Sequence, residues 1–370
     1  MRSSDLLNQK VLRLLAGVAA SGLLMLSSPA HAQPPSPYAV ETNIHGVYAY
    51  TQPPAGFEPM TASAAELQLY GYPPRPGADA SPKDLALWKM VVNPALTRVV
   101  PHLLQTNIYH RPMLTAGPII KNKSLSYNWS GRALARKKPV PAFTSTMGTW
   151  MVPLAQQAFG TCSGAWDYSS QWVGIDGFSN DYLFQAGSSA DAYCDGGSTS
   201  TSYFPWIEWL PAASYEIVQT NEEPFPFAPG DQLIVTVTAT DWSDGQSSNG
   251  TLSYTDVTQN WQVSGALTAG DIGGTYVVGD SAEWIVERPE VDGELSTLAN
   301  YVSDPWFDGS ATDINGKAYA PGSPRTATSY NIGMVDNNKE PISFVDLVTS
   351  SNSGVLGNEL LWFFDEGSAL

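Results

Sequence analysis

From residue 127 onward, apolar and polar residues alternate in short runs separated by Gly, Ser, Asp and Asn. That is the period of side chains pointing to opposite faces of a strand. The pattern predicts strands at 143–152, 171–175, 182–186, 204–210, 232–239, 250–254, 259–263, 276–278 and 283–287. Almost nothing in this region carries a helical period. Many short strands with turn residues at this spacing predict an all-β fold, a sandwich of two antiparallel sheets of the concanavalin or jelly-roll kind. The serine-rich run 196–202 reads as a mobile loop. Upstream, residues 33–123 are proline-rich and irregular, with one helix expected at 81–92, where Ser81 is placed to cap and Pro82 to occupy the first helical position.

The stretch 171–187, QWVGIDGFSNDYLFQAG, reads as a hairpin. Alternation puts Val173 and Ile175 on one face and Trp172, Gly174 and Asp176 on the other. On the returning strand Phe184 and Ala186 oppose Leu183, Gln185 and Gly187. Gln185 therefore sits mid-strand among apolar residues, where an amide needs partners or a role. Two further strands repeat the division. In WIEWLP, Trp206 and Glu208 share a face, and in AEWIVERP, Glu283, Ile285 and Glu287 do. One face of this set suits a sandwich interior. The other presents Trp172, Asp176, Gln185, Glu208, Glu283 and Glu287 toward what is expected to be a concave outer surface.

Residues 1–32 have the form of a secretory signal: Arg2, Lys10 and Arg13, an apolar run from Leu14 to Leu26, then Ala30-His31-Ala32. No later stretch reaches about 18 apolar residues. Export to an oxidising compartment, extracellular or periplasmic, predicts that the two cysteines, Cys162 and Cys194, form a disulfide bracing the hairpin region. The net charge of −17 is unevenly spread. Residues 33–123 hold 7 Lys/Arg against 5 Asp/Glu (+2), and 124–370 hold 8 against 29 (−21). Such acidity argues against nucleic acid and anionic membrane as partners, and suits either work at low pH, where carboxylates protonate and self-repulsion falls, or simply the solubility of an exported protein. Composition alone leaves residues 33–123 open as linker, partner-binding arm or propeptide.

The chain has no histidine after His110. A Ser-His-Asp or Cys-His arrangement therefore cannot be assembled within the β unit itself, and a histidine-based zinc site is excluded with it. No metal and no cofactor are expected. Proton chemistry falls to carboxylates, with amides and hydroxyls as electrostatic help.

Seven motifs in order, NWSG (128–131), WMVP (150–153), QWVGIDG (171–177), LFQAG (183–187), WIEWLP (206–211), APGDQLIVTVTAT (228–240) and AEWIVERP (282–289), resemble those of the glutamic peptidases, or eqolisins. The resemblance implies a β-sandwich endopeptidase in which a glutamine and a glutamate act on a water molecule. The matching positions are Gln185 and Glu287, Glu283 being the less fitting glutamate. Glu287 would serve as general base and then acid, and Gln185 would hold the water and donate to the oxyanion. Trp129, Trp172, Asp176 and Glu208 match positions that line or brace the cleft, with an Asp176–Glu208 hydrogen bond expected from their shared facing. The family's N-terminal propeptide accounts for 33–123, with a peptidase domain at 124–370. Partners expected are protein or peptide substrates and the chain's own propeptide, released by acid, and the enzyme is expected to be monomeric.

Two departures affect substrate preference. Leu210 stands where an aromatic is usual, and Glu287-Arg288-Pro289 replaces the usual EDF, so that Arg288 is expected to lower the pKa of the neighbouring base. A carbohydrate-active sandwich is the main rival, since outward Trp with Glu208 and Glu287 also suits sugars. It has no use for Gln185. A non-catalytic adhesion module is a third reading.

Overall fold

The computed structural model describes residues 35–349 and 358–362, apart from 79, 138–140, 159, 161, 302–307 and 322–326; the secretory-signal stretch lies outside them. The described residues belong to one compact unit. Among the described residues its frame is an 11-stranded and a 9-stranded sheet. They pack face to face over one large apolar core, as the alternation predicts. No helix among the described residues is long and apolar enough to cross a membrane.

The site lies on the first sheet. Its central strands are Trp129–Arg136, Ser281–Glu287, Ser170–Ile175, Phe184–Asp195 and Ser198–Trp209, all antiparallel to their neighbours. The expected hairpin is present, with Val173 opposite Ala186 and Gly174 opposite Gln185. Directly opposed residues share a face, so Val173, Ile175, Phe184 and Ala186 enter the interior together with Ile207, Trp209, Trp284 and Val286. The second sheet meets them with Leu233, Val235, Val237 and Ala239 of Gln232–Thr240, the alternate positions of LIVTVTA.

Two expectations fail for local reasons. Residues 196–202 are not a loop, because the chain reverses at Gly196-Gly197, with φ of +54° and +91°, and Ser198 onward pairs at once with Asp195 and its neighbours. A Gly-Gly turn lets both strands run to twelve residues whatever their serine content. Residues 276–278 form no strand; Val277 makes only an isolated bridge to Ser247. The disulfide Cys162–Cys194 is formed. It ties the chain ahead of the strand Ala165–Asp167 to the far end of the hairpin arm that carries Gln185.

The stretch upstream of Lys123 is woven into both sheets. Ala39–Glu41 and Tyr48–Tyr50 extend the second sheet, and His102–Gln105 forms an edge of the first by pairing with Tyr215–Val218. Ile108–Tyr109 pairs with Glu290–Val291, just beyond the strand carrying Glu287. The expected helix is Pro82–Val91, and its Ser81 and Asp84 form a reciprocal capping box. Its Leu87 and Val91 pack on Ile234 of the second sheet's outer face. A shorter helix, Ala64–Leu69, precedes it.

Candidate active site

Strand register places the site residues in rows across the face opposite the interior. One row runs Glu283, Gly174, Gln185, Glu208. The next contains Ile285, Trp172, Gly187 and Trp206, and a third contains Trp129, Glu287 and Ser170. The face is not the open concave surface expected. Trp129, Trp172, Gln185, Glu208, Glu283 and Glu287 are all fully buried. Ile108 and Met113 of the upstream stretch pack with Trp129, Trp172 and Trp206 as a second apolar cluster that closes it.

Glycines make the floor. A Cβ at Gly187 would lie 2.5 Å from Trp172 Cβ, and one at Gly174 would lie 2.9 Å from Trp172 Cζ3. The two absent side chains give the Trp172 indole room to lie along the sheet. From there its Nε1 donates to Glu287 Oε2 at 2.8 Å. Trp129 braces it edge-on, at 4.9 Å between ring centroids. Asn128 Nδ2 donates to the other oxygen, Glu287 Oε1, at 3.1 Å.

Gln185 belongs to a second group. Its Nε2 donates to Glu208 Oε2 at 2.7 Å and to the backbone carbonyl of His110 at 2.8 Å. Two acceptors at one end fix which atom of the amide is nitrogen. Gln185 Oε1 is buried and accepts from no protein donor. Glu208 in turn accepts from the His110 backbone N–H at 3.0 Å, and its Oε2 lies 3.1 Å from the ring Nδ1. The imidazole stacks on Trp206 at 3.6 Å between centroids and 7° between planes, with Nε2 3.0 Å from Ser170 Oγ.

His110 was excluded by its position in the sequence and is the residue that organises the covered face. Counting histidines within the β unit could not reveal a segment that enters from outside it. Arg111 follows, bidentate to Glu290 at 2.6 and 3.0 Å, with its backbone carbonyl accepting from Asn128 Nδ2 at 3.3 Å. Its backbone amide adjoins Glu287 and favours the carboxylate. Asn128, quoted in the NWSG motif only as a landmark, is thus a site residue too.

Asp176 does not pair with Glu208. It sits at φ +71° and accepts from the backbone N–H groups of Val278, Gly279 and Asp280 at 2.6, 2.9 and 2.7 Å, and from Asn180 Nδ2. It is a brace at the end of the hairpin. Arg288 Nε donates to the Tyr127 carbonyl. Trp172, Asn128, Trp129 and the Arg111 amide are the groups that favour the charged form of Glu287.

Desolvation dominates the titration of this region. Burial pushes Glu287 well above the usual carboxylate range, and pushes Glu208 likewise, with the Glu287 charge adding to it. Burial also raises Glu283 and Asp191 strongly and Asp176 despite its hydrogen bonds, and takes Asp256 to about 7. A carboxyl whose folded pKa is raised binds its proton more tightly folded than unfolded. Its stabilisation is complete below about pH 4 and is lost as pH rises through the folded value. The sandwich is therefore expected to show a higher urea midpoint at about pH 3.5 than at about pH 7.5, with the Asp256 share lost near 7. Equal midpoints, or a higher one at neutral pH, contradict this. His110 has the opposite sign. Burial holds its pKa well below 6.5, so its anchorage is complete above that value and weakens as pH falls.

A family model for the Peptidase A4 family matches residues 127–355. Aspergillopepsin-2 of Aspergillus niger is 30% identical over 228 residues, which is 57% of this chain and 72% of that protein. Among solved structures, the aspergilloglutamic peptidase of Aspergillus niger is similar with a TM-score of 0.41 and 24% identity, over 54% of this chain and 99% of that one. Tailspike protein 2 of an Escherichia coli O157:H7 bacteriophage gives a TM-score of 0.22 and 10% identity, over 55% of this chain and 26% of that one. The chain belongs to the Peptidase A4 family, the eqolisins, and is a glutamic endopeptidase.

Proposed function

We propose that Gln185 and Glu287 are the hydrolytic pair, acting on protein substrates in acid, and that the stretch ending near residue 123 is a propeptide occupying the site of an exported zymogen. The observation that carries this is the seating of residues 110 and 111 on the two side chains. The His110 carbonyl is 2.8 Å from Gln185 Nε2, and Asn128 Nδ2 joins the following residue to the glutamate, donating to the Arg111 carbonyl at 3.3 Å and to Glu287 Oε1 at 3.1 Å. A substrate bound in the same way would have its carbonyl polarised by Gln185 and its leaving nitrogen beside Glu287. Gln185 Oε1, which accepts from no protein donor, is available to a water O–H. Glu287 would take the second proton of that water as it attacks and return it to the amine. Trp172 and Asn128 donate to Glu287 and favour its ionised form, so the ionised fraction of the covered chain makes the first, slow cut, and removal of the covering stretch then rehydrates Glu287 and lowers its pKa in the working enzyme.

Ser170, His110 and Glu208 also form a hydrogen-bonded chain with the connectivity of a serine-hydrolase triad. In the proposed mechanism Ser170 only receives the imidazole edge. The test is hydrolysis of a denatured protein at about pH 3.5 by the acid-treated full chain. Ser170→Ala should retain activity within about threefold, and polysaccharides should be untouched. A loss of about 100-fold or more in Ser170→Ala would favour the triad.

A further inference from the structure

Given Gln185 and Glu287 as the hydrolytic pair, we infer that the first bond this enzyme cuts is its own His110–Arg111 bond, and that the pocket holding His110 is an imidazole-selective subsite for the residue that supplies the scissile carbonyl. The covering stretch is held as a substrate would be held. Ile108–Tyr109 forms a short antiparallel ladder with Glu290–Val291, the way extended peptides are gripped through their main chain. Further on, Met113 N–H donates to the Gly177 carbonyl, and Asn128 Nδ2 bonds the Arg111 and Pro112 carbonyls. Between these grips, the His110 carbonyl meets Gln185, and Asn128 bridges Arg111 to Glu287.

The flanking side chains are matched to their surroundings. The His110 ring has one face on the Trp206 indole and an in-plane partner at each nitrogen, Glu208 at Nδ1 and Ser170 at Nε2. A phenyl ring would stack equally well but forfeit both ring-nitrogen contacts in a fully buried pocket, leaving Glu208 with only its Gln185 and backbone donors and Ser170 Oγ with only Ser189 Oγ at 3.3 Å. On the amine side, Glu290 takes the Arg111 guanidinium bidentately, and the Tyr109 ring lies 4.7 Å beneath it. The subsites together select His followed by Arg.

The step balances as hydrolysis. Water oxygen bonds to the His110 carbonyl carbon, and the C–N bond to Arg111 breaks. One water proton passes through Glu287 to the Arg111 nitrogen. The products are a chain ending in the His110 carboxylate and a chain beginning with the Arg111 amine. The cut lies upstream of the expected boundary at 123 and leaves 111–123 on the enzyme, where Ala116 and Leu125 are already paired across the next turn.

The experiment is acid incubation of the full-length chain with time-resolved intact mass and N-terminal sequencing, alongside digestion of a denatured protein. A new amine terminus at Arg111, appearing first and at a rate independent of protein concentration, is expected. A synthetic peptide spanning residues 105–115, offered to the processed enzyme, should be cut between His and Arg, and its His→Phe analogue should lose about tenfold or more in kcat/KM. This peptide arm stands even if His110→Phe in the full chain fails to fold. Digestion of the denatured protein with the 110–111 bond left intact would overturn the self-cleavage site and leave the Gln185/Glu287 assignment standing. Equal cleavage of the two peptides would overturn the imidazole subsite. Absence of all proteolysis would overturn both proposals.

Discussion

Glu287→Gln is expected to lose ~10³-fold or more of acid peptidase activity, and Gln185→Ala ~10²–10³-fold. The first removes the group proposed to take and return the water proton, a role worth ~10²–10⁴-fold, while keeping the hydrogen-bonding shape that Trp172 and Asn128 grip. The second removes the preorganised N–H at 2.8 Å from the carbonyl, and loss of one oxyanion donor typically costs ~10²–10³-fold. Initial rates on a denatured protein at about pH 3.5 provide the measurement. Survival of either variant within tenfold of wild type would remove that residue from the mechanism.

Asp176→Ala is expected to destabilise the fold by about 3–6 kcal/mol, since it orphans three backbone N–H groups at about 1–3 kcal/mol each. Val278, Gly279 and Asp280 all donate to this one carboxylate. The loss would be a large share of the ~5–15 kcal/mol that holds a typical domain folded. The position is also at φ +71°, a conformation that Asp and Asn tolerate better than most residues. Asp176→Asn should therefore recover much of the loss. Urea unfolding at fixed pH separates the variants, and an Asp176→Ala midpoint equivalent to less than about 1 kcal/mol would show that Asp176 is not the brace described.

The facing of the catalytic strands was legible in the sequence because it depends on period alone. Gln185, Glu208, Glu283, Glu287 and Trp172 emerge on one face as alternation requires. What covers that face was not legible. Nothing in QTNIYHRPM marks residues 108–113 as the segment that covers Gln185 and Glu287, because the pairing of Ile108–Tyr109 with Glu290–Val291 joins positions some 180 residues apart. Asp176 was misassigned for a related reason. One residue past the end of the strand Ser170–Ile175, its left-handed backbone turns the carboxylate away from the face of Gln185 and Glu208 and onto the 278–280 backbone. Alternation ceases to predict direction where φ becomes positive.

A Glu287→Gln chain would fail to clear its own site, so lost activity alone does not separate chemistry from blocked access. The direct measurement is to let a trace of wild-type enzyme cut the Glu287→Gln chain in trans, remove the wild type, confirm by mass that the stretch upstream of Arg111 has left, and assay the cleared variant at about pH 3.5. The Gln185/Glu287 mechanism predicts activity still ~10³-fold below wild type; activity within tenfold of wild type would contradict it.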